Sequence, residues 1–135
     1  MTRAQMTQAI QTAAGAPELT VVVPSYNERD NVATLVPEIR RVLPAADVLV
    51  IDDSSPDGTA DVVRALRDND PRVDLLLRTE KAGLGAATLH GFQEGIRRGY
   101  DVLINLDADW SHPPAVLPAM VAELAEADVV IASRY

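Results

Sequence analysis

Cysteine is absent from all 135 residues. That excludes a disulfide framework, a zinc–thiolate centre and a cysteine nucleophile, and it fits a reducing, cytoplasmic setting. Basic charge is short as well. Twelve Lys and Arg face twenty Asp and Glu, for a net charge of −8. Non-specific nucleic-acid binding needs a basic patch, so no nucleic-acid partner is expected, although local basic pockets stay open. Long apolar runs are missing too. The longest are about five residues, against the roughly 20 that a membrane-spanning helix needs, so no transmembrane segment is expected. Residues 1–17 hold Ala, Gln and Thr without a continuous apolar stretch. They read as a flexible leader or a short helix rather than a secretory signal, and residues 18–135 as one domain. The chain has neither an internal repeat nor a low-complexity tract.

Short apolar runs punctuate the domain. Leu19–Val23, Val48–Ile51, Val73–Leu77 and Val102–Leu106 are rich in Val, Ile and Leu without polar alternation, and Val129–Ala132 is a shorter fifth. Such runs suit parallel strands covered on both faces. Between them lie stretches with helical spacing. Asn31–Leu43 puts Val32, Leu35, Val36 and Ile39 on one face. Thr59–Arg67 does so with Val62, Val63 and Leu66, Ala86–Arg98 with Leu89, Phe92 and Ile96, and Pro114–Ala125 with Leu117, Met120, Val121 and Leu124. Alternating strands and helices predict a three-layer, Rossmann-like α/β domain on a mostly parallel sheet. Ligands of such sheets sit beyond the carboxyl ends of the strands, so chemistry is to be sought just after each run.

The first run exits into Pro24-Ser25-Tyr26-Asn27-Glu28. The Gly-x-Gly-x-x-Gly of a dinucleotide-binding dehydrogenase is missing there. Pro24 can stiffen the turn while Tyr26 and Glu28 offer a flat ring and an acceptor to a base or ribose. The structural alternative is a strand exit with Asn27 or Asp30 capping the next helix. The second run exits into Asp52-Asp53-Ser54-Ser55-Pro56-Asp57-Gly58-Thr59. Adjacent carboxylates after a buried strand are costly unless they bind something or accept several hydrogen bonds. Asp53 is read as a ligand contact, and Asp57 and Thr59 as caps of the next helix. After the third run, Arg78 and Lys81 precede Gly83-Leu84-Gly85. Glycines at a helix start let backbone approach a diphosphate or ribose, though a helix start that needs small residues looks the same.

The fourth exit, Asp107-Ala108-Asp109-Trp110-Ser111-His112-Pro113-Pro114, is the sharpest. Two carboxylates at i, i+2 can jointly face a hard divalent cation, Mg²⁺ or Mn²⁺, that also bridges to substrate phosphates. A solvated acidic turn is the alternative, and the position after a buried strand, in line with three other polar exits, favours the metal. His112 is either an aid to the metal or a packed turn residue, and His90, inside a helical pattern, is structural. Arg134, after the fifth run, suits bidentate phosphate recognition, or is a solvated charge.

Taken in order, these segments resemble family 2 glycosyltransferases of the GT-A fold, most closely the polyprenol-phosphate (dolichol-phosphate) mannose synthase branch. The resemblance runs from Leu19 to Tyr135. It rests on Val22-Val23-Pro24-Ser25-Tyr26-Asn27-Glu28, Asp52-Asp53-Ser54-Ser55-Pro56-Asp57-Gly58-Thr59, Gly83-Leu84-Gly85-Ala86 with His90-Gly91-Phe92, Asp107-Ala108-Asp109 with Ser111-His112-Pro113-Pro114, and Ser133-Arg134-Tyr135. It implies a nucleotide-sugar pocket of Pro24, Tyr26, Glu28, Asp53, Lys81, Gly83, Gly85, Asp107, Ala108 and Asp109. Asp107 and Asp109 would hold the metal, and Arg134 would meet the acceptor phosphate or donor diphosphate. Some members carry Gln where Ser111 stands, so Ser111 would act through water. The implied reaction moves a hexose, mannose from GDP-mannose, onto a polyprenyl phosphate with inversion, peripherally at the cytoplasmic membrane face. Family members continue beyond the Ser-Arg-Tyr segment. The chain is thus expected to be the donor-binding N-terminal part of a longer family domain, either catalytic or a non-catalytic nucleotide-sugar-binding module that needs a partner chain or a second copy. A sugar-phosphate nucleotidyltransferase would carry a Gly-rich segment where Pro24-Ser25-Tyr26 stands. A ligand-free structural domain would not need four polar clusters at strand ends.

Overall fold

The computed structural model describes residues 17–79 and 83–131. Four parallel strands form one sheet in the order β3-β2-β1-β4: β1 Leu19–Ser25, β2 Ala46–Asp52, β3 Val73–Leu77 and β4 Val102–Asn105. Four α-helices connect or follow them: α1 Arg29–Val42, α2 Thr59–Asn69, α3 Leu84–Arg97 and α4 Leu117–Glu123, the last entered through a 3₁₀ turn at Pro114–Val116. Every residue of β1 is buried. Its central place in the order explains why that run is the most continuously apolar, since both of its edges and both of its faces are covered.

Alternation along the strands separates two cores. Val21, Val23, Val48 and Val50 face one side, where they meet Val32, Leu35, Val36 and Ile39 of α1 and Leu117 and Val121 of α4. Val22, Leu49 and Ile51 face the other, against Ala87 of α3. The result is the three-layer α/β arrangement the alternating pattern predicts. The α1 face agrees with its periodicity residue for residue.

Two expectations fail. The first concerns α3. Leu89 and Ile96, assigned by spacing to the buried face, are 59% and 68% exposed, with Phe92 half-buried. The helix instead lays Ala87, Gly91 and Gly95 on the sheet. A Cβ on Gly91 would come within 2.4 Å of Val22 Cγ1, and one on Gly95 within 2.5 Å of Leu103 Cδ2. Close backbone approach replaces side-chain interdigitation, and the stripe that carries it is nearly invisible to hydropathy. The second concerns Val129–Ala132. Residues 129–131 form no strand, and Val129 and Ile131 are 75% and 84% exposed. A parallel strand needs a ladder partner and cover on both faces, and among the described residues this run has neither. Its last member, Ala132, lies outside the described residues, as do residues 1–16 of the expected leader.

The amino-terminal edge of the sheet is tied by polar side chains. Arg98 donates to Asp74 at 2.8 Å and to Glu94 at 2.9 Å, and hydrogen bonds from Arg97 and Arg98 hold the Glu94 carboxyl down at about 2. The Tyr100 hydroxyl donates to Asp47. Burial, then that bond, pushes its pKa up to about 12. These groups are paired with one another and sit at the edge opposite the strand exits. Gly91→Ala should cost about 1–3 kcal/mol in urea unfolding, because the added methyl must displace Val22. Leu89→Ala, on the outward face of the same helix, should stay within about 0.5 kcal/mol.

Candidate functional site

The β1 and β2 exits are fused by side chains. Register pairs Ser25 with Asp52 at the ends of the two strands. Asp52 is fully buried and accepts hydrogen bonds from the Ser25 hydroxyl at 3.1 Å, the Ser55 amide at 3.0 Å and the Ser55 hydroxyl at 2.6 Å. The Ser55 oxygen in turn accepts from the Asn27 amide at 2.9 Å. Asn27 and Ser54 both take left-handed backbone, φ 56° and 55°, which a short polar side chain tolerates.

Asp57 extends the weave. It accepts from the Arg29 amide at 3.1 Å, the Thr59 amide at 3.0 Å and the Thr59 hydroxyl at 2.5 Å. Thr59 Oγ1 accepts from the Glu28 amide at 3.2 Å. Asp57 thus serves the start of α2, as the sequence predicts, and the start of α1 as well. The backbone N-cap positions of these helices are Gly58 and Glu28, without side-chain caps, so neither Asn27 nor Asp30 caps α1. Desolvation raises the Asp57 pKa, but the hydrogen bonds from Thr59 and Arg29 outweigh it and leave the group below its ordinary value.

Asp53, one residue on, is nearly fully buried, its side chain 2% exposed. Its Oδ1 lies 3.1 Å from Arg78 Nε. That contact lacks hydrogen-bond alignment: Asp53 Oδ1 and Arg78 Nη1 are both buried without a hydrogen-bond partner. Buried polar atoms left so are costly, and a ligand that pairs with them recovers that cost. The two adjacent carboxylates therefore part company, with Asp52 spent on the scaffold and Asp53 held at a cavity wall.

That cavity has a volume of about 240 Å³ and is lined by Pro24, Tyr26, Glu28, Asp53, Gly83, Asp107, Ala108 and Asp109. The exits of β1, β2 and β4 and the turn that opens α3 converge on it. Gly83 has φ 92° and ψ 162°, a conformation that a side chain strongly disfavours. Ala108 is buried in the main core and anchors the acidic pair from below. The Ser111 amide donates to Asp109 Oδ1 at 2.9 Å, and the Ser111 hydroxyl oxygen is buried without a hydrogen-bond partner.

Of the residues assigned to the pocket, Gly85 lies exposed in the first turn of α3 and is not among the lining residues. Lys81 and Arg134 lie outside the described residues. His112 lines a larger, mainly apolar cavity of about 600 Å³ between β4, α4 and residues 127–131, which shares Asp107 with the smaller one. His90 is exposed on α3. Sequence reasoning did not foresee the pairing of Arg78 with Asp53. The signal was there: the ends of neighbouring strands carry opposite charges.

No group of three or more His, Cys, Asp or Glu able to hold a metal occurs among the described residues. Two carboxylates lining one cavity still match an oxygen-seeking Mg²⁺ or Mn²⁺. Such an ion keeps several waters and takes other ligands from substrate phosphates. Such a donor set fits an ion of that kind.

Residues 20–135 match the model of the family described as Glycosyl transferase family 2, and the chain belongs to that family. It is 46% identical over 113 residues to an undecaprenyl-phosphate mannosyltransferase of Micrococcus luteus, covering 84% of this chain and 46% of that one. It is 48% identical over 117 residues to a polyprenol monophosphomannose synthase of Mycolicibacterium smegmatis, covering 85% and 44%. A solved mannosyltransferase from Pyrobaculum calidifontis, in complex with GDP-Man and Mn²⁺, superposes with a TM-score of 0.62 at 25% identity, over 91% of this chain and 39% of that one. The chain spans somewhat under half the length of the curated relatives it matches.

Asp57→Asn should lower stability near neutral pH by about 1 kcal/mol, the scale of a lost capping interaction. A depressed carboxyl pKa contributes stability above its unfolded value and loses it as pH falls through the folded value. In thermal melts, the gap between variant and parent should therefore close as pH drops below 3.8, the ordinary value for this group.

Proposed function

We propose that this chain is the donor-binding part of a mannosyltransferase that moves mannose from GDP-mannose to a polyprenyl phosphate. The observation that carries the reading is the cavity itself. Residues from three strand exits and a helix-opening glycine, far apart in sequence, line one space with three aspartate carboxylates beside Tyr26 and Glu28 among them, and relatives over this stretch are polyprenol-type mannosyltransferases.

The roles follow from chemistry. Tyr26 and Pro24 offer flat apolar surface to the nucleoside, Glu28 an acceptor for ribose hydroxyls, and Asp53 an acceptor for base N–H groups. Guanine presents two adjacent N–H donors on one edge, which a single carboxylate can accept together. Asp107 and Asp109 would hold a divalent cation, which would supply positive charge against the leaving diphosphate. Gly83 lets backbone approach the donor. The acceptor phosphate is already anionic near neutral pH, so its oxygen attacks the anomeric carbon in line without a strong general base, and configuration inverts. No helix among the described residues is long and apolar enough to cross a membrane. A lipid-linked acceptor places the transfer at a membrane surface.

Calorimetry with GDP-mannose, GDP and UDP-glucose, each with and without Mn²⁺, tests this reading. GDP-mannose should bind in a Mn²⁺-dependent way and more tightly than UDP-glucose. Asp109→Ala should abolish the Mn²⁺ dependence. Asp53→Ala should weaken guanine nucleotides about tenfold, the worth of a charge-assisted hydrogen bond. Equal, metal-independent binding of all three ligands, or no binding by the folded chain, would overturn the assignment.

A further inference from the structure

The two walls of the cavity leave the sheet on different strands. Glu28 follows β1, and Asp107–Asp109 follow β4. The β1–β4 ladder ends at the pair Val22–Asn105, and the last backbone bond between the two walls is Leu106 N–H to the Val22 carbonyl, at 3.0 Å. Beyond it, side chains make a second connection. Trp110 Nε1 donates to Thr34 Oγ1 at 3.1 Å. The Thr34 hydroxyl donates to the Asn31 carbonyl at 3.1 Å. Asn31 Nδ2 donates to Glu28 Oε2 at 2.7 Å. The route runs from the residue after Asp109, through the first turns of α1, to a carboxylate on the opposite wall.

Trp110 is an unusual residue for its place. Its φ is 64°, left-handed backbone in a bulky side chain, and such strain persists only where surroundings enforce it. The residue is 38% exposed, so burial alone does not hold it there. The indole N–H bond to α1 supplies a directional restraint on the turn that carries Asp109. We propose that Trp110 and Thr34 are positioning residues that fix the acidic wall against the Glu28 wall. The metal-binding and nucleoside-binding parts of the cavity are thereby held at one spacing and act on one ligand together. This rests on the reading of the cavity as a metal–nucleotide site.

The readout is the factor by which Mn²⁺ tightens GDP binding to this chain, measured by calorimetry, with thermal melts confirming that each variant is folded. Thr34→Val keeps the side-chain shape and removes the hydroxyl. Trp110→Phe keeps a ring and removes the N–H. Each should cut the Mn²⁺ enhancement about fivefold, the scale of one lost hydrogen bond, while GDP without Mn²⁺ stays within about twofold. Thr34→Ser should restore the enhancement. A Thr34→Val chain with the full enhancement overturns the proposal, as does a Thr34→Ser chain that loses it equally. Equal weakening of GDP with and without Mn²⁺ overturns it too, because it would show general loosening of the cavity rather than lost spacing. If the unaltered chain shows no Mn²⁺ enhancement, the nucleotide–metal reading fails and this inference falls with it. An enhancement in the unaltered chain that survives Thr34→Val removes only the tether.

Discussion

The buried carboxylate of Asp52 is the constraint on which the rest of the site depends. A charge with no exposure at the end of an interior strand has to be matched on the spot. Ser25 and Ser55 match it, and in doing so they bind the β1 exit to the β2 exit. Asn27, Thr59 and Asp57 then have fixed partners, and both α1 and α2 start from the same hydrogen-bonded knot. Glu28 and Asp53 project from a frame that is already rigid. Pre-organisation of this kind spares a ligand the entropy of ordering the loops that grip it.

Parallel pairing supplies the other half of the geometry. Because all four strands run the same way, every exit falls on one edge, and residues more than eighty positions apart become neighbours. The opposite edge carries paired Arg, Asp, Glu and Tyr side chains that close on one another. At the exit end, Asp53 Oδ1 and the Ser111 hydroxyl are buried without a hydrogen-bond partner.

Much of this could be read in the sequence, for identifiable reasons. Runs such as Val21–Val23 and Val48–Ile51 are buried on both faces and leave no ambiguity about strand. The α1 periodicity is clean because large side chains do its packing. The α3 face was misassigned because its contact with the sheet is made by absent side chains, and Leu89 and Ile96 mimic a buried stripe without being one. The fifth run shows the converse error: β-branched residues alone do not make a strand unless the chain lays them along a partner. At the site, sequence located the polar exits but could not divide labour between Asp52 and Asp53. That division depends on which side of the strand each faces as the chain leaves the sheet. Contacts such as Arg78 with Asp53 or Trp110 with Thr34 exist only once the strands are ordered.

Trp110 also has a consequence for how this molecule can be observed. It is the chain's one tryptophan, partly open to solvent and adjacent in sequence to Asp109. Nearly all of the protein's long-wavelength ultraviolet emission therefore originates beside the acidic pair. The colour and lifetime of that light follow the wetness and stiffness of one small turn, with no label added. A paramagnetic ion held there would dim it by proximity. The protein carries a native lamp at the mouth of its own cavity.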